Sequence, residues 1–488
     1  MSEASRDPSG RPWSRREFLG ALAAASAGLA ASKALGGEPV NPRKPNVVFV
    51  FGDQWRAQAT GYAGDPDVKT PHLDRLAAES VNFSRAVSGC PVCSPYRASL
   101  MTGQHPLRHG VFLNDAHLKN EAASIAEAFK AGGYETAYIG KWHLNGRGRR
   151  SFIPREDRQG FEYWKVLECT HDYNKSQYFA DERERLVWDG YDAAAQTRDA
   201  AAYIRAHGKK KPFLLMLSWG PPHNPYETAP EEFRALYDPK KLALRPNVPK
   251  KAQRKARRDI AGYYAHCSAL DACVGEIIKT LDETGLAEET IFVFTSDHGD
   301  MLYSQGQERK QRPWDESIRV PFLLRWPGGL GRKAREVRLP LNAPDLMPTL
   351  LGLAGLPVPK TVEGQDHSAI VRGEKAPPED AAALLACYHP FGEWKRANGG
   401  REYRGVRTER YTYVRTLERP WLLYDNDADP HQMENRCGSP EHAALQARME
   451  KLLARELART GDDFRPSAAY LEKWNYKVDR TGTLPTRP

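Results

Sequence analysis

The sequence predicts an α/β protein: a large, mainly parallel or mixed sheet sandwiched by helices, followed by a smaller C-terminal α+β subdomain. Three observations predict it. Four short apolar runs, at 46–51, 134–140, 212–218 and 290–296, have the length and the β-branched and aromatic content of buried strands. Segments with helical spacing separate them, at 70–77, 122–131, 192–207 and 260–284, and strands alternating with helices build a doubly wound sheet. Beyond about Lys375 the texture changes to a hairpin-like stretch at 403–414, a short strand at 422–425 and a closing amphipathic helix at 443–460. The organisation expected is 1–37 as an N-terminal address segment and linker, 45–375 as the main domain and 376–488 as the smaller one.

The first 37 residues read as a signal peptide. Ser14-Arg15-Arg16-Glu17-Phe18-Leu19-Gly20 leads into an Ala-rich apolar run to about Ala31, and small residues follow. The arginine pair before Phe-Leu resembles a bacterial twin-arginine signal, which implies export to the periplasm or the extracellular space. The run is too Ala/Gly-rich to make a stable membrane span, and no other segment is long and apolar enough. The chain carries 40% hydrophobic and 27% charged residues, a globular composition with ample material for a core. Its net charge of +9 suits an anionic substrate as well as an indifferent basic surface. The basic run Lys250–Arg258 has no interleaved aromatic residue, so it reads as a solvated helix face and not as a nucleic-acid site. Seven cysteines in 488 residues are too few and too scattered for a disulfide framework.

The strand ends carry the chemistry. The first run stops at Gly52-Asp53-Gln54, the second at Lys141-Trp142-His143, the third at Pro221-Pro222-His223 and the fourth at Asp297-His298-Gly299. Ligand sites in doubly wound sheets lie beyond the carboxyl ends of the strands, so four such endings point to one cleft. Singly, each aspartate reads as a loop residue and each histidine as a core histidine. Cys90-Pro91-Val92-Cys93 is by itself open between a redox pair, half a zinc site and a nucleophile, although no second pair stands at zinc spacing. Ser94-Pro95 reads as the start of a helix, which places Cys93 where backbone N–H groups favour negative charge.

Cys93-Ser94-Pro95-Tyr96-Arg97, continued by Ala-Ser-Leu-Met-Thr-Gly, resembles the signature of the sulfatase family in the alkaline phosphatase superfamily, Cys-x-Pro-x-Arg and then Leu-x-Thr-Gly. The departure is Tyr96, where Ser, Thr or Ala is usual. The resemblance runs from about Pro45 into the C-terminal region, where Leu423-Tyr424-Asp425 and Asp429-Pro430 resemble a terminal family stretch. It implies that Cys93 is oxidised to formylglycine by a formylglycine-generating or an anaerobic sulfatase-maturating enzyme. A hydroxyl of the hydrated aldehyde then attacks sulfur, and the sulfated intermediate collapses to release sulfate. By the same resemblance Asp53, Gln54, Asp297 and His298, with the modified Cys93, hold one divalent metal. Mostly oxygen donors suit Ca2+ or Mg2+, and the imidazole leaves Mn2+ open. Lys141 contacts the sulfate oxygens, His143 the nucleophile's second hydroxyl, and His223 and Lys310 the leaving side. Arg309 and Arg312 are local competitors of Lys310. Arg97, one helical turn past Cys93, reaches back to it or to the metal-ligand carboxylates. The pocket rim is expected from 146–188 and 226–258, with His389, Trp394 and Arg396 in a loop overhanging it.

The function this implies is hydrolysis of a sulfate monoester, of a sulfated glycan or an aryl sulfate. The rival is a phosphonate monoester or phosphodiester hydrolase of the same superfamily, whose metal set also resembles Asp-Gln with Asp-His. A third reading is a non-catalytic binding protein on this scaffold.

Overall fold

The protein is described by a computed structural model over residues 44–485; the signal-like segment in 1–37 lies outside the described residues. The main sheet is built from β1 (Asn46–Asp53), β2 (Val81–Phe83), β3 (Glu135–Lys141), β4 (Tyr163–Leu167), β7 (Phe213–Pro222), β8 (Thr290–Ser296), β9 (Phe322–Arg325) and β10 (Arg335–Val337), in the order β10-β2-β9-β8-β1-β7-β3-β4. A separate two-stranded hairpin pairs β5 (Gln177–Tyr178) with β6 (Leu186–Val187). Only β9 runs against its neighbours in the main sheet. The four strands read from the apolar runs are the adjacent set β8-β1-β7-β3, all parallel.

Their buried, non-alternating sequences follow from cover on both faces. Along β1, Val47, Phe49 and Phe51 face one core, and Val48 and Val50 face the other, as the two-residue period of a strand requires. Helices α1 (Pro71–Ala77), α4 (Asp192–His207) and α5 (Gln253–Glu283) pack on the second face, whereas α2 (Cys93–Thr102), α3 (Ile125–Ala131) and α6 (Ala343–Leu353) pack on the first. Register sets the strand ends flush: Phe51 stands opposite Ser218 and Thr295, and Asp53 opposite Pro222. The four titratable endings therefore open on one edge.

Two helix starts differ from the spacing. α3 begins at Ile125 and not at 122, because Ser124 and Glu127 form a reciprocal capping box there. α5 begins at Gln253, ahead of the apolar periodicity from Ile260. Its basic first turns are exposed at Arg254, Lys255 and Arg258, which agrees with a solvated face.

The C-terminal subdomain is an antiparallel meander, β11 (Ala382–Cys387), β12 (Tyr403–Thr408), β13 (Tyr411–Thr416) and β14 (Pro420–Asp425). Helix α7 (Ala443–Thr460) covers it through Met449 and Leu453. No helix among the described residues is long and apolar enough to cross a membrane.

Candidate active site

Helix α2 is buried along its whole length, so Cys93 at its first position is held by packing on every side. The Asn114 side chain accepts the Ser94 N–H at 3.0 Å and satisfies one of the four N–H groups that a helix start leaves open. Tyr96 turns into the core beside Ala98 and Leu100 and does not line the pocket, which is why a large side chain is accommodated at that position. All seven cysteines are free. Cys90 packs with Phe112 and Tyr388, and burial pushes its thiol up to about 12. The two cysteines of Cys-x-x-Cys thus part: Cys90 packs in an aromatic cluster and Cys93 faces the pocket.

Cys93 Sγ lies 3.2 Å from His298 Nε2, 3.2 Å from Lys310 Nζ and 3.6 Å from Asp53 Oδ1. Burial and Asp53 oppose its ionisation, yet Lys141, Lys310 and His298 outweigh them and hold the thiol well below its ordinary value. Ligand atoms of Asp53, Cys93, Asp297 and His298 all fall within 4.8 Å of one another. Burial would raise Asp53, but Lys141 holds it ionised, whereas burial and the Asp53 charge push Asp297 up to about 6. Two buried carboxylates crowded in this way are a site for a cation.

The donor set fits a metal in two further respects. His298 Nδ1–H donates to the Gly299 carbonyl at 2.9 Å, which leaves Nε2 as the ring atom that faces both aspartates and that a metal would take in place of its proton. Gln54 Nε2 donates to Asp300 at 2.7 Å, and the other amide atom, Oε1, is buried without a hydrogen-bond partner. Gln54 reaches this position through a left-handed backbone (φ 74°), as does His143 (φ 61°). Bulky residues adopt that region where surrounding contacts enforce it, commonly at functional sites.

Arg97 holds the set together. Its guanidinium reaches Asp297 Oδ2 at 3.0 Å and Asp53 Oδ2 at 3.2 Å, and donates to the Lys141 carbonyl and to Ser218 Oγ, all fully buried. The two roles anticipated for it resolve to the carboxylates. Lys141 Nζ sits 2.6 Å from Asp53. Gly140 before it lies against the neighbouring strand: a Cβ there would meet the Ser218 carbonyl at 2.0 Å.

Lys310 wins over its neighbours. Its Nζ donates to His223 Nε2 at 2.9 Å, while Arg309 turns to Tyr226 and Arg312 to the Lys310 carbonyl. His223 Nδ1–H donates to the Asn224 carbonyl at 2.9 Å, so Nε2 is its acceptor. Burial and Lys310 hold this imidazole neutral, well below its usual value. His171 stacks on His223 with centroids 4.8 Å apart.

His143 bonds through Nε2 to Asp115 at 3.2 Å, and Arg149 clamps Asp115 bidentately at 2.9 and 2.8 Å. Burial opposes the imidazolium, but Cys169, the hydrogen bond to Asp115 and the nearby Cys93 thiol raise His143 to about 10. Its Nδ1 has no hydrogen-bond partner among the described residues.

The structure therefore brings together every residue expected in the site. The rim differs from expectation. Arg149, Cys169 and His171 come from 146–188, but no residue of 226–258 lines this pocket; Tyr226 bonds to Asp300 and Asn247 to Glu316. Phe391, Gly392, Glu393 and Thr483 take its place around a cavity of about 250 Å³. Of the anticipated overhang, His389 turns to the Gly482 carbonyl, Trp394 is buried under Arg312, and Arg396 pairs with Glu402. The residues between them form the wall.

The sulfatase family model matches residues 45–356, and the model of the N-sulphoglucosamine sulphohydrolase C-terminal region matches 307–459. The chain belongs to the sulfatase family. An ulvan-active sulfatase of Formosa agariphila is 47% identical over 442 residues, 89% of this chain and 85% of that one. A structure from work on glycosaminoglycan metabolism in Bacteroides thetaiotaomicron superposes with TM-score 0.78 at 30% identity, over 89% of this sulfatase and 99% of that chain. A phosphonate monoester hydrolase of Agrobacterium radiobacter superposes with TM-score 0.69 at 25% identity, over 91% and 100%. This sulfatase is a sulfuric ester hydrolase of the alkaline phosphatase superfamily.

Proposed function

We propose that this sulfatase removes a sulfate monoester from a sulfated glycan, with formylglycine made from Cys93 as nucleophile and one divalent cation, Ca2+ first among the candidates, held by Asp53, Gln54, Asp297 and His298. The observation that carries the reading is the placement of Cys93 Sγ at a helix start, 3.2 Å from both His298 Nε2 and Lys310 Nζ. Sγ stands where the oxygens of the modified residue would be. The glycan rests on relatives such as the ulvan-active Formosa protein.

When present, the cation supplies charge stabilisation at the ester oxygens, and formylglycine supplies a hydrated-aldehyde hydroxyl to attack sulfur. The chain's own groups do the rest. Lys141 and Lys310 flank the reacting centre and take up charge that grows on the sulfate oxygens. Arg97 fixes Asp53 and Asp297 in orientation. His223 Nε2 accepts from Lys310, so Lys310 Nζ bears the proton of the pair and is the donor for the leaving oxygen. Asp115 accepts from His143 Nε2–H, which leaves Nδ1 as the base for the nucleophile's second hydroxyl. The neighbouring Cys93 sulfur is one of the groups that raise this imidazole, and formylglycine lacks it.

Mass spectrometry of the Cys93 peptide, after expression with a formylglycine-generating or anaerobic sulfatase-maturating enzyme, tests the nucleophile. The expected species carries an aldehyde; full activity with Cys93 unmodified would overturn the mechanism. A screen of sulfated saccharides beside aryl phosphonates separates this reading from phosphonate or phosphodiester hydrolysis, which the Agrobacterium likeness and the Gln54–His298 pair favour. A phosphonate preference of several orders of magnitude would replace it. Export by the twin-arginine route is proposed from Ser14–Gly20, and cell fractionation with an Arg15→Lys, Arg16→Lys variant checks it.

A further inference from the structure

A second cavity, about 640 Å³, adjoins the pocket, and Arg149 lines both. Five arginines line it, at 147, 149, 150, 183 and 185, against one carboxylate residue, Glu156. Two chain segments supply them. Arg147, Arg149 and Arg150 follow β3 just beyond His143, and Arg183 and Arg185 stand in the turn of the β5–β6 hairpin. That turn is fixed at its base: Tyr178 stacks on Trp188 with centroids 4.0 Å apart, and Phe179 pairs with Val166 of the main sheet.

The charges are of two kinds. Arg147 pairs with Asp157 at 2.7 Å, and Arg149 with Asp115. Arg150 and Arg185 have no ion pair or hydrogen bond among the described residues, and Arg183 has only the face of Phe152, 5.0 Å from its guanidinium carbon. Local sequence arranges this. In Glu182-Arg183-Glu184-Arg185 the acids alternate with the arginines along the turn. Neither Glu182 nor Glu184 lines the groove. A merely solvated basic surface would let those glutamates fold back on their neighbours. Here Glu182 and Glu184 form no ion pair with Arg183 or Arg185 among the described residues, and Phe152 and Phe179, packed edge-on, complete the lining.

We infer that this groove is an extended subsite for a polyanionic polysaccharide, which holds carboxylate or sulfate groups of sugars next to the one whose ester enters the pocket. The inference rests on the proposed glycan substrate. Planar guanidinium groups bind carboxylates and tetrahedral oxyanions in two-point fashion, and Phe152 holds the Arg183 guanidinium over its face. Arg149 joins the two sites: it contacts the groove on one side and fixes the Asp115–His143 pair on the other. The polymer is thus held along its length, and the sulfatase prefers an ester within or attached to a charged chain over the same ester on a small neutral group.

The test is the triple variant Arg150→Ala, Arg183→Ala, Arg185→Ala in the matured enzyme, assayed on ulvan and on 4-nitrophenyl sulfate. The ratio of kcat/KM for polymer over aryl sulfate is expected to fall at least about tenfold, mainly through KM, since three charged contacts to the polymer are lost together. An unchanged ratio would overturn the subsite. Electrophoresis through gels containing ulvan or dextran sulfate reads the groove without catalysis: the native protein is retarded and the triple variant is not. Retardation of native protein with no sulfatase turnover on any substrate keeps the groove and removes the catalytic reading. Retardation by a 20-nucleotide DNA but by neither polysaccharide would assign the groove to nucleic acid and overturn the inference.

Discussion

The pocket and the arginine groove meet at Arg149 and handle charge in opposite ways. In the pocket each buried charge has its counter-charge at hand: Asp53 with Lys141 and Arg97, Asp297 with Arg97, Asp115 with Arg149. Taking charges out of water is costly unless they are paired, and breaking such a pair leaves its partner stranded. In the groove, Arg150, Arg183 and Arg185 are exposed and form no ion pair among the described residues, so each acts nearly independently and weakly. The pocket is therefore a single cooperative unit in which one loss spreads, and the groove is a sum of small terms.

Removing the nucleophile is the harshest test of that difference. Cys93→Ala takes away the one atom every other pocket residue surrounds, and turnover of aryl and polymeric sulfate alike is expected to fall by roughly 10⁴-fold or more. A comparable residual rate on either substrate would mean that Cys93 is not the reacting group. Arg97→Ala comes next and shows the cooperative cost as stability. It strands Asp297 in the interior and leaves Asp53 with Lys141 alone, and urea unfolding is expected to show a loss of about 3–5 kcal/mol. A change under 1 kcal/mol would show that the two carboxylates are compensated by something other than Arg97. Lys310→Ala leaves His223 without its donor and is expected to lower kcat about 10²–10⁴-fold with a smaller effect on an aryl sulfate whose leaving group needs no proton. An equal loss on both would assign Lys310 to binding and not to proton delivery.

The same contrast explains what was legible in the sequence. Asp53, Lys141, His143, His223, Asp297 and His298 terminate strands, and a strand is a local pattern whose end names the site edge. Cys93 and Arg97 share one helix turn. These residues need only local geometry and the parallel order of the sheet. Asn114 and Asp115 sit in an irregular loop with no period to announce them, though they cap α2 and orient His143. Phe391–Glu393 and Thr483 arrive from the C-terminal subdomain by long-range packing, which no local pattern encodes. The groove was hidden for a third reason. Its hairpin has strands of two residues, too short to show alternation, and its arginines look like any solvated run until the β3 segment is set opposite them.

Between pocket and groove stands Asp115, the next test in order of size. Asp115→Asn keeps the shape but removes the charge that orients His143 and anchors Arg149. Partners of this kind change activity by about 10–100-fold when altered. A loss in kcat on both substrates locates the effect at His143; a loss confined to polymeric substrate would locate it at Arg149 and make the groove, not the base, its main dependent.

The smallest effect expected is the response to salt, and it separates the two regions most cleanly. The Debye length falls from about 10 Å at 0.1 M to about 3 Å at 1 M ionic strength. Exposed charges such as those of Arg150, Arg183 and Arg185 lose most of their pull on a polyanion over that range. The buried pairs around Cys93, fully shielded from solvent, keep theirs. The polymer-to-aryl ratio of kcat/KM is therefore expected to fall several-fold with salt in the native enzyme, because aryl sulfate meets only the pocket and corrects for effects common to both substrates. In the groove triple variant the ratio starts low and stays flat. Parallel salt curves for native and variant enzymes would show that the polymer senses the general field of the protein and not these three side chains, and would place both regions under one electrostatic rule.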